Sequence, residues 1–223
     1  MSWEIREGDC LESLRAMPAG SVQCCVTSPP YWGLRDYGHG DQLGMEETPD
    51  LFVANMVKVF AEVKRVLRDD GTLWLNIGDS YAGSNTGKIP DGANFKAKDL
   101  VGIPWLLAFA LRADGWYLRS EIIWAKPNPM PESVTDRPTK AHEQVFLLTK
   151  SPRYFYDADA VREAHQHPDV TRTRGKCAPG SLQENLGKYW KTPNGNHPAG
   201  RNKRTVWTVA TQPFAGAHFA TFP

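Results

Sequence analysis

From Ser21 to Thr149, short apolar runs alternate with longer stretches whose apolar residues recur at helical spacing. No other feature restricts the fold of this chain as much. "SVQCCVT" (Ser21 to Thr27), "GTLWLNIGD" (Gly71 to Asp79), "YLRSEIIW" (Tyr117 to Trp124) and "QVFLLT" (Gln144 to Thr149) have the length and apolar content of strands. "WEI" (Trp3 to Ile5) reads as a further strand, with "CLESLRAM" (Cys10 to Met17) as a short helix after it. Phe52, Met56, Val59, Phe60, Val63, Val66 and Leu67 mark one longer helix, with Asp50 as its expected N-cap. Leu100, Ile103, Leu107 and Leu111 mark another. Strands separated by helices imply crossover connections, so the expectation is an α/β fold with a largely parallel sheet and helices on both faces. Ligands of such sheets bind beyond the carboxyl ends of the strands.

Several classes of protein are excluded at once. The longest apolar run, "WLLAFAL" (Trp105 to Leu111), is far short of the roughly 20 residues a bilayer requires. The opening "MSWEIREGDC" is charged from the start, so no secretory signal is expected and the protein is expected in the cytoplasm. The cysteines, Cys10, Cys24, Cys25 and Cys177, form no CxxC pair and no zinc spacing. They are expected to be reduced and mostly buried, with Cys24 and Cys25 in the core. "HEQVF" at His142 has no second histidine, and no metal site is expected. "GSNTGK" (Gly83 to Lys88) is one residue short of a phosphate loop and has no Ser or Thr after its lysine.

The formal net charge of +1 conceals a strong asymmetry. Between Val170 and Val206, Arg172, Arg174, Lys176, Lys188, Lys191, Arg201, Lys203 and Arg204 face only Glu184. Gly, Pro and Asn are frequent there, and Tyr189 and Trp190 are interleaved. Composition alone leaves two readings even: a solvated surface segment, or a nucleic-acid contact surface in which cations meet phosphates and aromatics stack on bases.

"VTSPPYW" (Val26 to Trp32) ends the second expected strand abruptly. Proline fixes φ and lacks an N–H, so Pro29 and Pro30 form a stiff extended turn whose carbonyls are not drawn into a helix. Ser28 adds a second acceptor, and Tyr31 and Trp32 add flat apolar faces. Two acceptors converging on an NH₂ group beside an aromatic ring suit the exocyclic amine of adenine or cytosine. A Pro-rich corner plugging the core is the plainer reading of so short a stretch.

The stretch and what surrounds it resemble the amino-methylating DNA methyltransferases, in particular their N4-cytosine branch. Val26, Thr27, Ser28, Pro29, Pro30 and Tyr31 match that signature at every position. The adenine enzymes more often carry Asp where this chain has Ser28. "GTLWLNIGDSY", "IIWAKPNPMPES", "RPTKAHEQVFLLTKS" and "HFATFP" look like family blocks in the expected order, so the resemblance covers nearly all of the chain. It implies a Rossmann-like S-adenosylmethionine-dependent methyltransferase sheet with a loop-rich basic target-recognition insert. It also implies methyl transfer to N4 of cytosine in duplex DNA after the base has been flipped out. Ser28, Pro29, Pro30 and Tyr31 become the catalytic turn: Ser28 and the Pro29 carbonyl accept from the amine, and Tyr31 stacks on the base. Transfer is a direct in-line displacement that needs no protein nucleophile, and no cysteine here follows a proline as ring-carbon methylation would require.

The resemblance divides the chain into a catalytic core over 1–150, a DNA-recognition region over 151–212 and the start of a cofactor block over 213–223. It assigns Arg172, Arg174, Lys176, Lys188, Lys191, Arg201, Lys203 and Arg204 to double-stranded DNA, most of them on phosphates. Asp9, Cys10, Ser28, His218 and Phe219 are the candidates for holding S-adenosylmethionine, with a helix N-cap as the rival role of Asp9. The chain departs from the family pattern in one respect. The Asp-Pro-Phe-Xaa-Gly-Ser-Gly cofactor loop, expected after "HFATFP", is not among the 223 residues; "QPFAG" (Gln212 to Gly216) lacks its second glycine and precedes that block. Weak cofactor affinity, or dependence on a further C-terminal segment or a second chain, is therefore expected. N6-adenine methylation by the same fold and a non-catalytic DNA-binding remnant are the alternatives. A cognate restriction endonuclease is a further candidate partner.

Overall fold

The computed structural model describes residues 3–83, 94–165 and 197–212. They fall into two compact units, Met1–Phe155 with Thr205–Pro223, and Tyr156–Arg204. The larger unit holds α1 (Cys10–Arg15), β1 (Val22–Thr27), α2 (Pro49–Val66), β2 (Leu67–Ile77), α3 (Ile103–Ala113), β3 (Tyr117–Ala125), β4 (His142–Thr149) and β5 (Val206–Thr208). The strands form a single sheet in the order β1-β2-β4-β3-β5.

The sheet is mixed, not largely parallel. β1 pairs with β2, and β3 with β5, in parallel; β4 runs antiparallel to both β2 and β3. The expectation of crossover helices fails between β3 and β4, where the Pro-rich stretch "KPNPMPESVTDRPTKA" forms a loop and not a helix. An antiparallel pair needs no crossover. As a result, the C-terminal ends of β1, β2 and β3 and the N-terminal end of β4 share one edge.

Alternation along the strands separates two apolar clusters. Leu73, Leu75, Ile77, Phe146 and Leu148 point to one face, where they meet Phe52, Met56, Phe60 and Val63 of α2 and Ile103, Leu107 and Leu111 of α3. Trp105 sets its ring edge-on to Phe146 at 5.2 Å. Ile122, Trp124, Val145 and Leu147 face the other way, against Trp74, Tyr154 and Trp207. Each fully buried large side chain contributes about 1.5–3 kcal/mol of transfer free energy.

Local chemistry explains the helix ends, and it corrects three expectations. α2 is capped by Thr48, whose hydroxyl accepts from the Leu51 N–H at 3.2 Å, because Pro49 takes the first helical position; Asp50 lies inside the first turn. Leu67 is not within α2 but is its C-cap, its N–H still donating to the Val63 carbonyl, and its extended backbone opens β2. α3 begins at Ile103, after Gly102 at φ 84°, and leaves Leu100 exposed outside it. α1 is held against α2 by Arg65, whose guanidinium donates to the carbonyls of Met17 and Leu14.

Two further expectations fail near the N-terminus. Trp3 to Ile5 form no strand: Trp3 and Ile5 are 83% and 80% exposed, and three residues alone cannot hold a ladder. Cys10 and Cys24 are exposed and Cys25 is half-buried. Cys24 lies on β1, where alternation puts it with the exposed Val26 on one face and turns Cys25 to the other. Cys177 lies outside the described residues.

Candidate active site at the strand edge

The TSPPYW turn leaves the C-terminal end of β1 at the shared edge. Its walls come from the ends of β2 and β3 and the start of β4. Two features fix its path. Trp32 is buried and donates its indole N–H to the Glu46 carbonyl at 2.9 Å. Gly44, at φ 97°, packs so close to Pro30 and to the Tyr31 carbonyl that a Cβ there would sit 3.1 Å from each. The Gly33 N–H closes the loop onto the Gly44 carbonyl at 2.7 Å.

Tyr31 crosses the edge inward. A Cβ on Gly78 would lie 2.5 Å from its ring, so the ring lies directly on the backbone just past β2. Its hydroxyl meets three side chains: it accepts from Ser28 Oγ at 3.2 Å, donates to Glu143 Oε2 at 2.7 Å and lies 3.0 Å from Asn76 Oδ1. Asn76 is only 4% exposed and spends both amide protons, on Glu143 Oε2 and the Gln144 carbonyl, each at 3.1 Å. Lys126, one residue beyond β3, forms an ion pair with Glu143 Oε1 and a cation–π contact with Trp124 at 4.3 Å. The register places these groups together, pairing Asn76 with Val145 and Ala125 with His142.

Burial would raise the Glu143 carboxyl, but Lys126, Tyr31 and Asn76 together hold it below its ordinary value, so it is ionised. Burial, and then the Glu143 charge, push the Tyr31 phenol far upward, so it stays protonated. The Lys140 ammonium, just ahead of β4, is lowered by burial against the pull of Asp79, Glu143 and Glu132. Lys140 Nζ, Ser80 Oγ and Gln144 Oε1 are buried without a partner among the described residues. Asp79 closes the neighbouring turn, its Oδ1 accepting from the N–H groups of Ser80, Gly102 and Ile103 at 2.9–3.0 Å.

The candidates read from the sequence fall in several places. Ser28, Pro29, Pro30 and Tyr31 lie together, half-buried, at the edge. Among the described residues no donor reaches the Pro29 carbonyl. Asp9 caps α1, its Oδ1 accepting from the Glu12 N–H at 3.0 Å, and Cys10 follows it. In the smaller unit, Arg201 and Lys203 are ion-paired with Glu163 at 3.0 and 3.3 Å, and Gly200, at φ 109°, lets the chain pass close to the Glu163 carbonyl. Arg172, Arg174, Lys176, Lys188, Lys191, His218 and Phe219 lie outside the described residues, as do most of "GSNTGK" and "QPFAG". Sequence reasoning missed Asn76, Gly78, Asp79, Lys126, Lys140 and Glu143. The available signal was polar residues at the ends of otherwise apolar strands, "LWLNIGD" and "HEQVFLL".

A model of the N6/N4 DNA methylase family matches residues 22–223. The chain belongs to that family. It is 51% identical over 232 residues to the type II methyltransferase M.Cfr9I of Citrobacter freundii, covering 97% of this chain and 67% of that protein. It is 43% identical to M.SmaI of Serratia marcescens over 237 residues, covering 100% and 72% of the two chains. Among solved structures, the fold of this methylase-family chain is shared by the PvuII DNA methyltransferase (cytosine-N4-specific), with TM-score 0.58, 16% identity, and coverage of 94% of this chain and 58% of that one. It is also shared by TTHA0409 of Thermus thermophilus complexed with S-adenosyl-L-methionine, with TM-score 0.52, 21% identity, and coverage of 92% and 66%. The chain thus spans 67% and 72% of the length of these two curated relatives and 58% and 66% of the two solved chains. Among the described residues no helix is long and apolar enough to cross a membrane.

Proposed function

We propose that this chain carries the methyl-transfer site of an S-adenosylmethionine-dependent DNA methyltransferase acting on the exocyclic N4 amine of cytosine. The observation that carries this reading is the placement of Ser28 and the Pro29 carbonyl. Both lie on a rigid turn at the strand edge, and the turn is anchored from behind by Tyr31 to Asn76 and Glu143. A flipped base presents its amine to these two acceptors. Hydrogen bonds to both protons draw the nitrogen out of conjugation and free its lone pair. Ser28, of the type seen in the N4 branch, favours cytosine over adenine.

The residues present also fit the cofactor. Asp9 uses Oδ1 as an N-cap, while among the described residues no donor reaches Oδ2 on this exposed carboxylate, so it is available to the amine of an adenine ring. Cys10, beside it, and Ser28 are the other described candidates. Bound S-adenosylmethionine supplies an electrophilic methyl group on a sulfonium. The chain positions the nucleophile, excludes water from the amine and takes up the proton that leaves it.

The smaller unit and its basic stretch, including Arg201, Lys203 and Arg204, are the DNA-recognition region in this reading, and double-stranded DNA is the partner. The proposal leaves room for a cognate restriction endonuclease. Incubation with S-adenosylmethionine and unmethylated duplex DNA, followed by mass spectrometry of the digested nucleosides, tests it. N4-methylcytosine is expected. N6-methyladenine would move the target to the other amine. DNA binding without either product would replace the enzyme by a DNA-binding protein.

A further inference from the structure

The hydrogen bonds at the strand edge form a directed chain. Ser28 Oγ donates to Tyr31 Oη at 3.2 Å, and Tyr31 Oη donates to Glu143 Oε2 at 2.7 Å. The direction is fixed at each link. Asn76 points its carbonyl oxygen toward Tyr31 because its two amide protons are held by Glu143 and the Gln144 carbonyl. The single Tyr31 proton goes to the shorter contact, which is also the charged one. The chain starts at the hydroxyl that faces the amine and ends on a carboxylate balanced by Lys126.

Direct methylation of an exocyclic amine creates a need that such a chain meets. The nitrogen lone pair forms the N–C bond while the C–S bond breaks and leaves its electron pair on sulfur. The nitrogen then carries a positive charge, a methyl group and two protons, one of which must depart. We propose that Ser28, Tyr31 and Glu143 act as a proton relay for that step. Ser28 Oγ takes the amine proton as it passes its own to Tyr31 Oη, and Tyr31 passes its proton to Glu143 Oε2. The products are a neutral methylated amine and a neutral Glu143 carboxyl. The Glu143 side chain is 18% exposed, so the proton then reaches water. A protonated exocyclic amine is a far stronger acid than a carboxylic acid, so transfer to Glu143 runs downhill.

The other charged groups at the edge do not compete for this role. Lys126, from the end of β3, is ion-paired with Glu143, and Lys140 Nζ, from ahead of β4, makes no hydrogen bond to Ser28 or Tyr31 among the described residues. Asp79, beyond β2, has Oδ1 committed to three backbone N–H groups. Glu132 is paired with Arg137 at 2.7 Å. Asn76 is neutral. Among the described groups around the turn, Glu143 is the one base joined to Ser28 by hydrogen bonds.

The relay rests on the methyltransferase reading, so the test measures the unmodified protein first. Single-turnover methyl transfer and DNA affinity are then compared for Glu143→Gln, which keeps an oxygen for Tyr31 but loses the base, and for Tyr31→Phe, which keeps the ring on Gly78. Each is expected to lower the rate about 10²-fold or more, the scale of general acid–base catalysis, with DNA affinity within about twofold. Formate, a carboxylate small enough to enter the space vacated in Glu143→Gly, is expected to restore part of the rate in that variant and to leave the unmodified protein unchanged. If Glu143→Gln misfolds, Tyr31→Phe decides. An active parent with variants within about threefold of it overturns the relay and leaves the methyltransferase reading standing. A slow Glu143→Gly that formate does not rescue overturns it in favour of a purely positioning role. A parent that transfers no methyl group to any base brings down both.

Discussion

The Tyr31 hydroxyl donates to Glu143 Oε2 at 2.7 Å across 112 positions of sequence, and this bond joins the proline turn after β1 to the first residues of β4. It makes the geometry of the turn depend on a buried charge, and the consequences can be measured.

Lys126 balances that charge, so Lys126→Met leaves Glu143 ionised and poorly solvated. Removing one partner of a buried pair costs roughly 3–5 kcal/mol, and with both side chains 18% exposed a loss of about 2–3 kcal/mol is expected, read as a lower urea midpoint. The pH dependence follows from the sign of the shift. Glu143 is held below its ordinary value of 4.5 in the fold, so its contribution is present above that value and lost as pH falls through the lower folded one. In Lys126→Met the main attraction is gone and burial raises the folded value toward or above 4.5, so acidification costs this variant less, and its deficit against the unmodified protein is expected to narrow as pH falls.

Gly78→Ala places a methyl group 2.5 Å from a ring that cannot shift, because its hydroxyl is held by Glu143. The expected cost is about 1–3 kcal/mol of stability, as for overpacking, with a larger proportional loss of methyl transfer because the turn is displaced. Thermal unfolding and a single-turnover assay on the same preparation check both.

Asp79 caps α3 from a distance, since Gly102 at the N-cap has no side chain to do so. Asp79→Ala is expected to destabilise by about 2 kcal/mol, and Asp79→Asn, which keeps an oxygen but not the charge, by about half that. Denaturant midpoints of the two variants test the order.

Glu163 holds Arg201 and Lys203 in the smaller unit. Glu163→Gln removes the charge that competes with DNA phosphates for them. Affinity for duplex DNA is expected to rise, and the slope of log K against log salt to steepen by about one to two, measured by fluorescence anisotropy. An unchanged slope would mean that these cations do not meet phosphates.

Much of the fold was legible in the residues. β1, β2, β3 and β4, the helical period of α2 and α3, and the abrupt end of β1 at Pro29 all follow from local pattern. The departures have physical causes. Thr48 caps α2 because Pro49 sets the start, and the Pro-rich loop after Lys126 reverses β4 where a crossover helix was expected. The "WEI" strand fails because the residues offer apolar side chains but the described chain offers them no partner.

By itself, the sequence determined the alternation that builds an α/β sheet, and it determined the proline turn that ends β1, because both depend on neighbours a few positions apart. Only the tertiary structure decided what stands behind the turn. Asn76, Gly78, Lys126 and Glu143 come from three different strand ends, and each alone looks like an ordinary polar or small residue. The antiparallel register of β4 brings Glu143 beside Asn76 and Lys126, where burial makes an isolated carboxylate untenable and the three donors around it necessary.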